Sequence, residues 1–219
     1  MSLAIELDPA LFGRLAISGF ELALTSLAGS AKPALRDEWL EAARVLKEMA
    51  GVTPPPWESA LSEMRGLRPP LDPHHPVYSR GEQLLLDALK QQSGPPPQAL
   101  LCLAEVVSLV SLCPAYVIDA APLRAPLQLR RVAPGENGRL AGMTVPLDDY
   151  ALLADGGGAI VTPSRQYDHG LPGGESQNLL LLLFAPQAGA RLQRALALAE
   201  DLVIRHLEIR PGPAFRSGI

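Results

Sequence analysis

The spacing of apolar residues along the chain changes near residue 115. Before that point, apolar side chains recur every three or four residues in several stretches, which is the spacing of helices that bury one face. After it, short apolar runs are separated by glycine, proline and polar residues, a pattern typical of strands. The pattern predicts helices over residues 34–50, 57–64, 80–92 and 98–111.

The C-terminal half is predicted to be rich in short strands. The segment Asp155-Gly156-Gly157-Gly158 separates two apolar runs, and it predicts a hairpin turn because glycine adopts positive φ without steric cost. Residues 187–207 carry one apolar stripe and predict a long final helix. The predicted strands are 3–7 and 20–24 near the N-terminus, and 116–118, 127–132, 150–154, 159–162 and 178–184 after the switch.

Helices followed by strands and a closing helix define the α+β class. We therefore expect a helical N-terminal half, a mixed and largely antiparallel β core, and a C-terminal helix. We expect residues 1–54 to form a strand and helix extension and residues 55–219 to form an α+β domain, packed together as one compact unit. The proline-rich segments 54–56, 69–76 and 95–97 are expected to be connectors, because proline breaks helices and removes a sheet donor.

Composition and charge fit a globular protein with little attraction for nucleic acid. An apolar fraction of 47% over 219 residues is sufficient for a hydrophobic core. The net charge of -4 argues against broad electrostatic contact with phosphates, although a local basic face stays open. Arg124, Arg130, Arg131 and Arg139 form the densest basic segment, and we expect a solvated strand face there.

Targeting and metal-binding signals are missing from the sequence. No basic flank precedes an apolar core at the N-terminus, and no apolar run approaches the roughly 20 residues that span a bilayer. We therefore expect a cytoplasmic protein without membrane contact. Cys102 and Cys113 lie among apolar residues, without a partner at zinc spacing, so we expect buried free thiols and no metal site.

The segment 165–170, Arg-Gln-Tyr-Asp-His-Gly, is the strongest local candidate for a binding loop. It combines four hydrogen-bonding side chains with a glycine after a predicted strand, and such loops often carry small-ligand sites. A solvated turn explains the same residues, and both alternatives stay open. His74-His75 in the proline-rich loop and His206 near the last helix end are expected to be structural. Phosphate-loop, nucleophile-turn and metalloprotease motifs are absent, so we expect no cofactor.

A second pattern joins the last N-terminal helix to the strands. Glu105 and Ser108 lie on that helix, Pro114 follows it, and Asp119 comes five residues later. Ser176 stands two residues before Asn178 at the start of a buried run. This order and spacing, over about residues 55–185, resembles the tRNA-editing domain of the phenylalanyl-tRNA synthetase beta subunit, especially its freestanding relatives.

The resemblance implies a pocket for an amino acid or an aminoacyl end. It assigns Asp119 and Ser176 to catalysis. Together with the 165–170 loop, it gives a set of expected ligand-binding residues: Glu105, Ser108, Tyr116, Arg165, Tyr167, His169 and Asn178. This chain departs from the family where Tyr116 replaces a histidine and Glu105 an asparagine. Residues 170–173 also lack the glutamate that recognises the hydroxyl of tyrosine.

Three functions remain open. We favour a binding protein for an aminoacyl-tRNA end or an amino-acid-like ligand. The alternative is a hydrolase that deacylates mischarged tRNA, in which Asp119, Ser176 and His169 position water. The third is a structural or partner-binding domain. We expect weak, salt-sensitive tRNA binding and slow or absent deacylation of tyrosyl-tRNA. The 219 residues are too few for a complete tRNA ligase, and the sequence does not give the oligomeric state.

Overall fold

The computed structural model describes residues 5–24, 29–55, 57–66, 79–90 and 92–217. Within them lie five α-helices: α1 (Pro33–Met49), α2 (Glu58–Gly66), α3 (Arg80–Lys90), α4 (Ala99–Ser111) and α5 (Ala190–Leu202). A π-helical turn, Val203–Leu207, continues α5. The strands are β1 (Ile5–Leu7), β2 (Ala16–Ala23), β3 (Ala115–Asp119), β4 (Leu127–Arg131), β5 (Asn137–Leu140), β6 (Met143–Pro146), β7 (Ala151–Asp155), β8 (Gly158–Val161), β9 (Asn178–Ala185) and β10 (Ala214–Ser217).

The strands form two four-stranded sheets and one separate hairpin. The first sheet has the order β1-β4-β7-β8, and the second has the order β10-β2-β9-β3. Only the β1–β4 pair is parallel among these described strands. Strands β5 and β6 pair as an antiparallel hairpin. Five helices with mostly antiparallel sheets and a C-terminal helix confirm the predicted α+β class.

The core is arranged in layers around the second sheet. One face of this sheet packs against the helices, and its other face packs against the first sheet. Alternate residues of β9 belong to the two clusters, as expected for a strand with a two-residue side-chain period. Leu181 and Leu183 face the helices, while Leu182 and Phe184 face the first sheet. The hairpin covers the outer face of the first sheet, where Tyr167 belongs to a third cluster.

Most predicted elements are confirmed, with shifted ends. The predicted helix 34–50 is α1, and the glycine turn after Asp155 joins β7 to β8. Strand β2 is longer than predicted and begins at Ala16. Three strands, β5, β6 and β10, were not predicted from the pattern. The predicted loop 69–76, with His74-His75, lies outside the described residues.

Individual side chains follow their expected environments. Cys102 and Cys113 are buried free thiols, and burial raises the pKa of each to about 11. His206 is buried and lies 2.8 Å from the carboxylate of Glu38, which joins the end of the last helix to α1. Within the described ranges, no helix has the length and apolar character needed to cross a membrane.

Candidate functional site

A tight corner between α4 and β3 brings the predicted pocket residues together. Helix α4 ends at Ser111, and the next residue, Leu112, has a φ of 57°, which lies in the left-handed region. The Ser108 hydroxyl donates to the carbonyl of Ala104 (2.8 Å) and accepts from the backbone N–H of Ala115 (3.0 Å). Ser108 is fully buried. Its contacts hold the start of β3 against α4, so Glu105 and Tyr116 lie on the same side of the corner.

Glu105 and Tyr116 line one cavity of about 260 Å³, which we call the Glu105 cavity. Helices α3 and α4 form one side of it, and β3 with the loop after β8 forms the other. Three of the predicted binding residues, Glu105, Tyr116 and Arg165, are in its lining. The remaining lining residues are Arg80, Gln83, Leu101, Ala104, Ala115, Val117, Ser164 and Gln166.

An ion pair lies in the wall of the Glu105 cavity. One guanidinium nitrogen of Arg80 is 2.5 Å from Glu105 Oε1, and the Trp39 indole donates to Oε2 at 3.0 Å. The Glu105 side chain is 14% exposed and that of Arg80 is 33% exposed. Burial raises the pKa of the Glu105 carboxyl, although Arg80 and Trp39 both favour its charged form. Arg80 and Trp39 therefore compensate the negative charge of Glu105 only in part.

The raised pKa of the Glu105 carboxyl predicts how the free energy of unfolding changes with pH. Between the ordinary carboxyl value of 4.5 and the higher pKa in the folded protein, the folded state binds more protons than the unfolded state. Stability from this group is therefore lost as pH rises through that window. We expect the free energy of unfolding of wild type, relative to Glu105→Gln, to fall as pH rises above the ordinary carboxyl value of 4.5. Urea unfolding of both proteins across this range measures it, and a difference that stays constant or grows contradicts it.

Tyr116 forms a wall of the cavity and has no free acid–base group. Its hydroxyl donates to the carbonyl of Pro163 at 3.2 Å. Burial raises the pKa of this phenol well above its ordinary value. Its ring contacts Phe184 edge to face, with centroids 6.2 Å apart and an interplanar angle of 81°. Tyr116 thus supplies shape at the position where the resemblance leads one to expect a histidine.

The loop after β8 closes the cavity through Gln166. Its side-chain amide donates to the carbonyls of Val117 (2.9 Å) and Gly170 (3.3 Å), which fixes the loop on the outer edge of β3. Arg165 faces the cavity and lies 3.5 Å from Asp148. Tyr167 points instead into the third hydrophobic cluster, where burial raises its pKa to about 12. This loop is therefore both an edge cover for the sheet and part of the cavity wall.

The two predicted catalytic residues contact each other at the far end of β3. Ser176 donates to Asp119 at 2.5 Å and accepts from the backbone N–H of Gly173 at 3.0 Å. The other oxygen of Asp119 accepts from Ala121 N–H at 2.9 Å. These bonds join the loop before β9 to the end of β3. Asn178, at the start of β9, lines a separate cavity of about 290 Å³.

His169 lies apart from both the Glu105 cavity and the Asp119–Ser176 pair. Its Nε2 is 2.8 Å from the carboxylate of Asp155, and the residue lines a groove of about 410 Å³ beside the β5–β6 hairpin. The structure thus brings Glu105, Tyr116 and Arg165 together, and pairs Asp119 with Ser176. It places His169 and Asn178 in other cavities. Ser108 and Tyr167 are buried.

The sequence did not identify Arg80 as the cation that pairs with Glu105. Arg80 was seen only as the first residue of a helix, and Gln83 and Trp39 only as helix residues. One signal was available: Glu105 is the single charged residue in the apolar segment Ala99–Ser111. A carboxylate on such a helix requires a cation or donor, but the sequence does not say which one. Within the described residues, no group of three or more His, Cys, Asp or Glu side chains is arranged to hold a metal ion.

Comparison with known proteins finds similarity among solved structures. No family model matches this sequence, and no curated protein matches it. Among solved structures, an N-terminal fragment of the phenylalanyl-tRNA synthetase beta subunit from Pyrococcus horikoshii is similar, with 10% identity and a TM-score of 0.48. The match covers 99% of this chain and 55% of that chain, so this chain spans about half the length of the fragment.

Proposed function

We propose that this protein binds an amino-acid-like small molecule in the Glu105 cavity. The observation that carries the proposal is the Arg80–Glu105 ion pair in the cavity wall. An α-amino acid carries an ammonium and a carboxylate a few ångströms apart. The cavity wall offers the matching opposite charges side by side.

Both members of the pair keep hydrogen-bonding capacity for a ligand. A guanidinium has five N–H donors and a carboxylate has about four acceptor positions. One Arg80 nitrogen and one Trp39 nitrogen contact the two Glu105 oxygens. A ligand ammonium can therefore bind Glu105 while Arg80 stays in place. Such a ligand also offsets the desolvation that raises the pKa of Glu105, which favours binding of an amine.

The size and remaining lining of the cavity favour one amino acid with an apolar side chain. Its volume of about 260 Å³ is below the roughly 300–1,000 Å³ that accommodates drug-sized ligands. Leu101, Ala104 and Val117 supply apolar surface beside the charged pair. A whole nucleotide does not fit this description, whereas an amino acid or the aminoacyl group of a tRNA end does.

Free amino acid and aminoacyl ester are the two forms that this ligand can take. Glu105 and Tyr116 occupy positions that the resemblance assigns to an editing pocket, and both line the cavity, which supports an aminoacyl end. An ester has no free carboxylate, so it uses Glu105 but leaves Arg80 unpaired with the ligand. The net charge of -4 supports weak, salt-sensitive contact with the rest of a tRNA.

Hydrolysis is the second candidate, and one observation favours it. Glu105 is a mostly buried carboxylate whose pKa is raised by burial, and this is a property of carboxylates that act as general bases. In such a reaction, Glu105 takes a proton from water while the water oxygen bonds to the ester carbon. The ester C–O bond then breaks, the leaving alcohol oxygen takes the proton from Glu105, and the free amino acid is released. Asp119 and Ser176 stay candidates as proposed earlier, although they contact each other at the other end of β3.

The experiment compares three ligands and three variants by calorimetric titration. The ligands are L-phenylalanine, its methyl ester, and 3-phenylpropionate, which lacks the amine. We expect Glu105→Gln to weaken binding of both amines by about tenfold or more, because a hydrogen bond to a charged group contributes roughly 1.5–3 kcal/mol. Arg80→Gln is expected to weaken the free acid selectively. Arg44→Gln, on the exposed face of α1, is the control for loss of one positive charge.

The results separate the possible functions. Absence of saturable binding to wild type, or unchanged binding in Glu105→Gln, contradicts the proposal. If wild type binds the acid and the ester with equal affinity, and Arg80→Gln changes neither affinity, the site is assigned to an aminoacyl end. Release of phenylalanine from its ester or from tRNA, lost in Glu105→Gln, makes the protein a hydrolase.

A further inference from the structure

A second polar groove lies on the opposite side of the first sheet from the core. The β5–β6 hairpin forms one side of it, the β7–β8 turn forms another, and Asp168 with His169 closes it. We call it the hairpin groove; its volume is about 410 Å³. It shares none of its lining residues with the Glu105 cavity. Binding of a ligand in the hairpin groove therefore does not depend on the proposed amino-acid site.

Arg139 gives the hairpin groove a fixed positive charge. The residue is exposed on β5, and one guanidinium nitrogen donates to the carbonyl of Gly142 at 3.1 Å. This contact directs the side chain along the hairpin. In the part of the chain that the structure describes, Arg139 forms no ion pair with a carboxylate. Most of its N–H donors are therefore available to a ligand.

His169 is held so that its second ring nitrogen is available. Its Nε2 contacts Asp155, whose side chain is completely buried. The Asp155 carboxylate also accepts the backbone N–H groups of Arg124 and Gly157, both at 2.6 Å. Burial opposes its ionisation, but these donors and His169 together lower the pKa of Asp155. Because Nε2 is the ring nitrogen that contacts Asp155, Nδ1 is left for contact with a ligand.

The acidic residue that lines the groove, Asp168, pairs with backbone N–H groups and not with Arg139. Both oxygens of Asp168 accept backbone N–H groups of the β5–β6 turn, from Ala141 at 2.7 Å and Gly142 at 2.8 Å. Thr144 and Asn137 add neutral donors to the lining. One Asn137 amide hydrogen is engaged by the carbonyl of Gly135, so the second is free to donate. One guanidinium, one imidazole and two neutral donors therefore line the groove.

We propose that the hairpin groove binds a phosphate group. A phosphate has enough oxygens to accept from Arg139, His169 and the neutral donors together, whereas a carboxylate has only two. Arginine matches phosphate with paired N–H donors. The phosphate comes either from a small phosphorylated molecule or from a nucleic-acid backbone, and the chemistry of recognition is the same for both.

The test is a titration of the isotope-labelled protein with inorganic phosphate, followed by amide chemical shifts. We expect saturable shifts at Gly157, Gly158 and Thr144. Arg139→Gln removes the main cation from an exposed position and is expected to weaken binding by about tenfold or more. Arg131→Gln is the matched control, because Arg131 is equally exposed on β4 and does not line the groove. His169→Gln is the second variant and is expected to weaken binding as well.

The proposal is overturned by linear, unsaturated shifts with phosphate, or by equal affinity in wild type and Arg139→Gln. Phenyl phosphate and a short single-stranded RNA identify the source. Groove-specific shifts with phenyl phosphate alone assign the site to a small phosphorylated molecule. Shifts with the RNA that are lost in Arg139→Gln and kept in Arg131→Gln assign it to a nucleic-acid backbone.

Discussion

Replacing Gly19 by alanine is expected to destabilise the protein by about 3 kcal/mol or more. Gly19 lies in the middle of β2, between β9 and β10. A Cβ atom at this position is 2.1 Å from the carbonyl oxygen of Leu181 and 3.0 Å from the ring of Phe215. The first neighbour is backbone in the central strand and cannot move aside without disturbing the sheet. The measurement is the midpoint of thermal or urea unfolding.

The control for this substitution is Gly174→Ala. Gly174 lies in the exposed loop before β9, with no atom within 4 Å of an added Cβ. We expect its stability to remain within about 0.5 kcal/mol of wild type. For a chain of this length, the Gly19→Ala loss corresponds to a fall in Tm of roughly 6–12 °C. If Gly19→Ala and Gly174→Ala unfold at similar midpoints, the sheet does not require glycine at residue 19.

The elements that the sequence predicted well are those whose signal is local. The helical stripe of α1 lies within seventeen residues, so its period is visible without knowledge of the fold. The β7–β8 hairpin was predicted because Asp155 and three glycines give the turn its conformation and its hydrogen bonds. In both cases, the residues that fix the structure are neighbours in the chain.

The β5–β6 hairpin was missed because a distant residue fixes its turn. Ala141 and Gly142 both have positive φ, 50° and 79°, as a tight hairpin turn requires. Alanine is not a usual residue for that conformation. The carboxylate of Asp168 accepts both turn N–H groups, which offsets the conformational cost. No pattern within residues 137–146 contains this contact.

In the candidate site too, the sequence indicated the contacts that are fixed by nearby residues and missed those that depend on packing between distant elements. Glu105 and Tyr116 were each expected to bind the ligand, and the short corner between α4 and β3 places them in one cavity. Arg80 was not predicted, because its contact with Glu105 depends on how α3 packs on α4. His169 is only four residues from Arg165 in the chain, but the bend of the loop directs it to the hairpin groove. Residues that are close in sequence within the 165–170 loop therefore line two different cavities.

Substitutions in the buried strand β9 are the second group expected to cause a large loss of stability. The apolar run of this strand, residues 179–185, is buried on both faces although the sheet is antiparallel, because helices cover one face and the first sheet covers the other. We expect Leu181→Ala and Leu182→Ala each to reduce the free energy of unfolding by about 2–5 kcal/mol, through lost burial and the cavity left behind.

The two substitutions test the layered architecture because they act on opposite faces. Leu181 packs with the helices, and Leu182 packs with the first sheet. Leu171→Ala is the control, since Leu171 is 56% exposed and its loss is expected to cost less than about 0.5 kcal/mol. Urea unfolding of the three variants gives the comparison. If one β9 variant is as stable as the control, that face of β9 is not covered, and the arrangement of two sheets with a helical layer is wrong on that side.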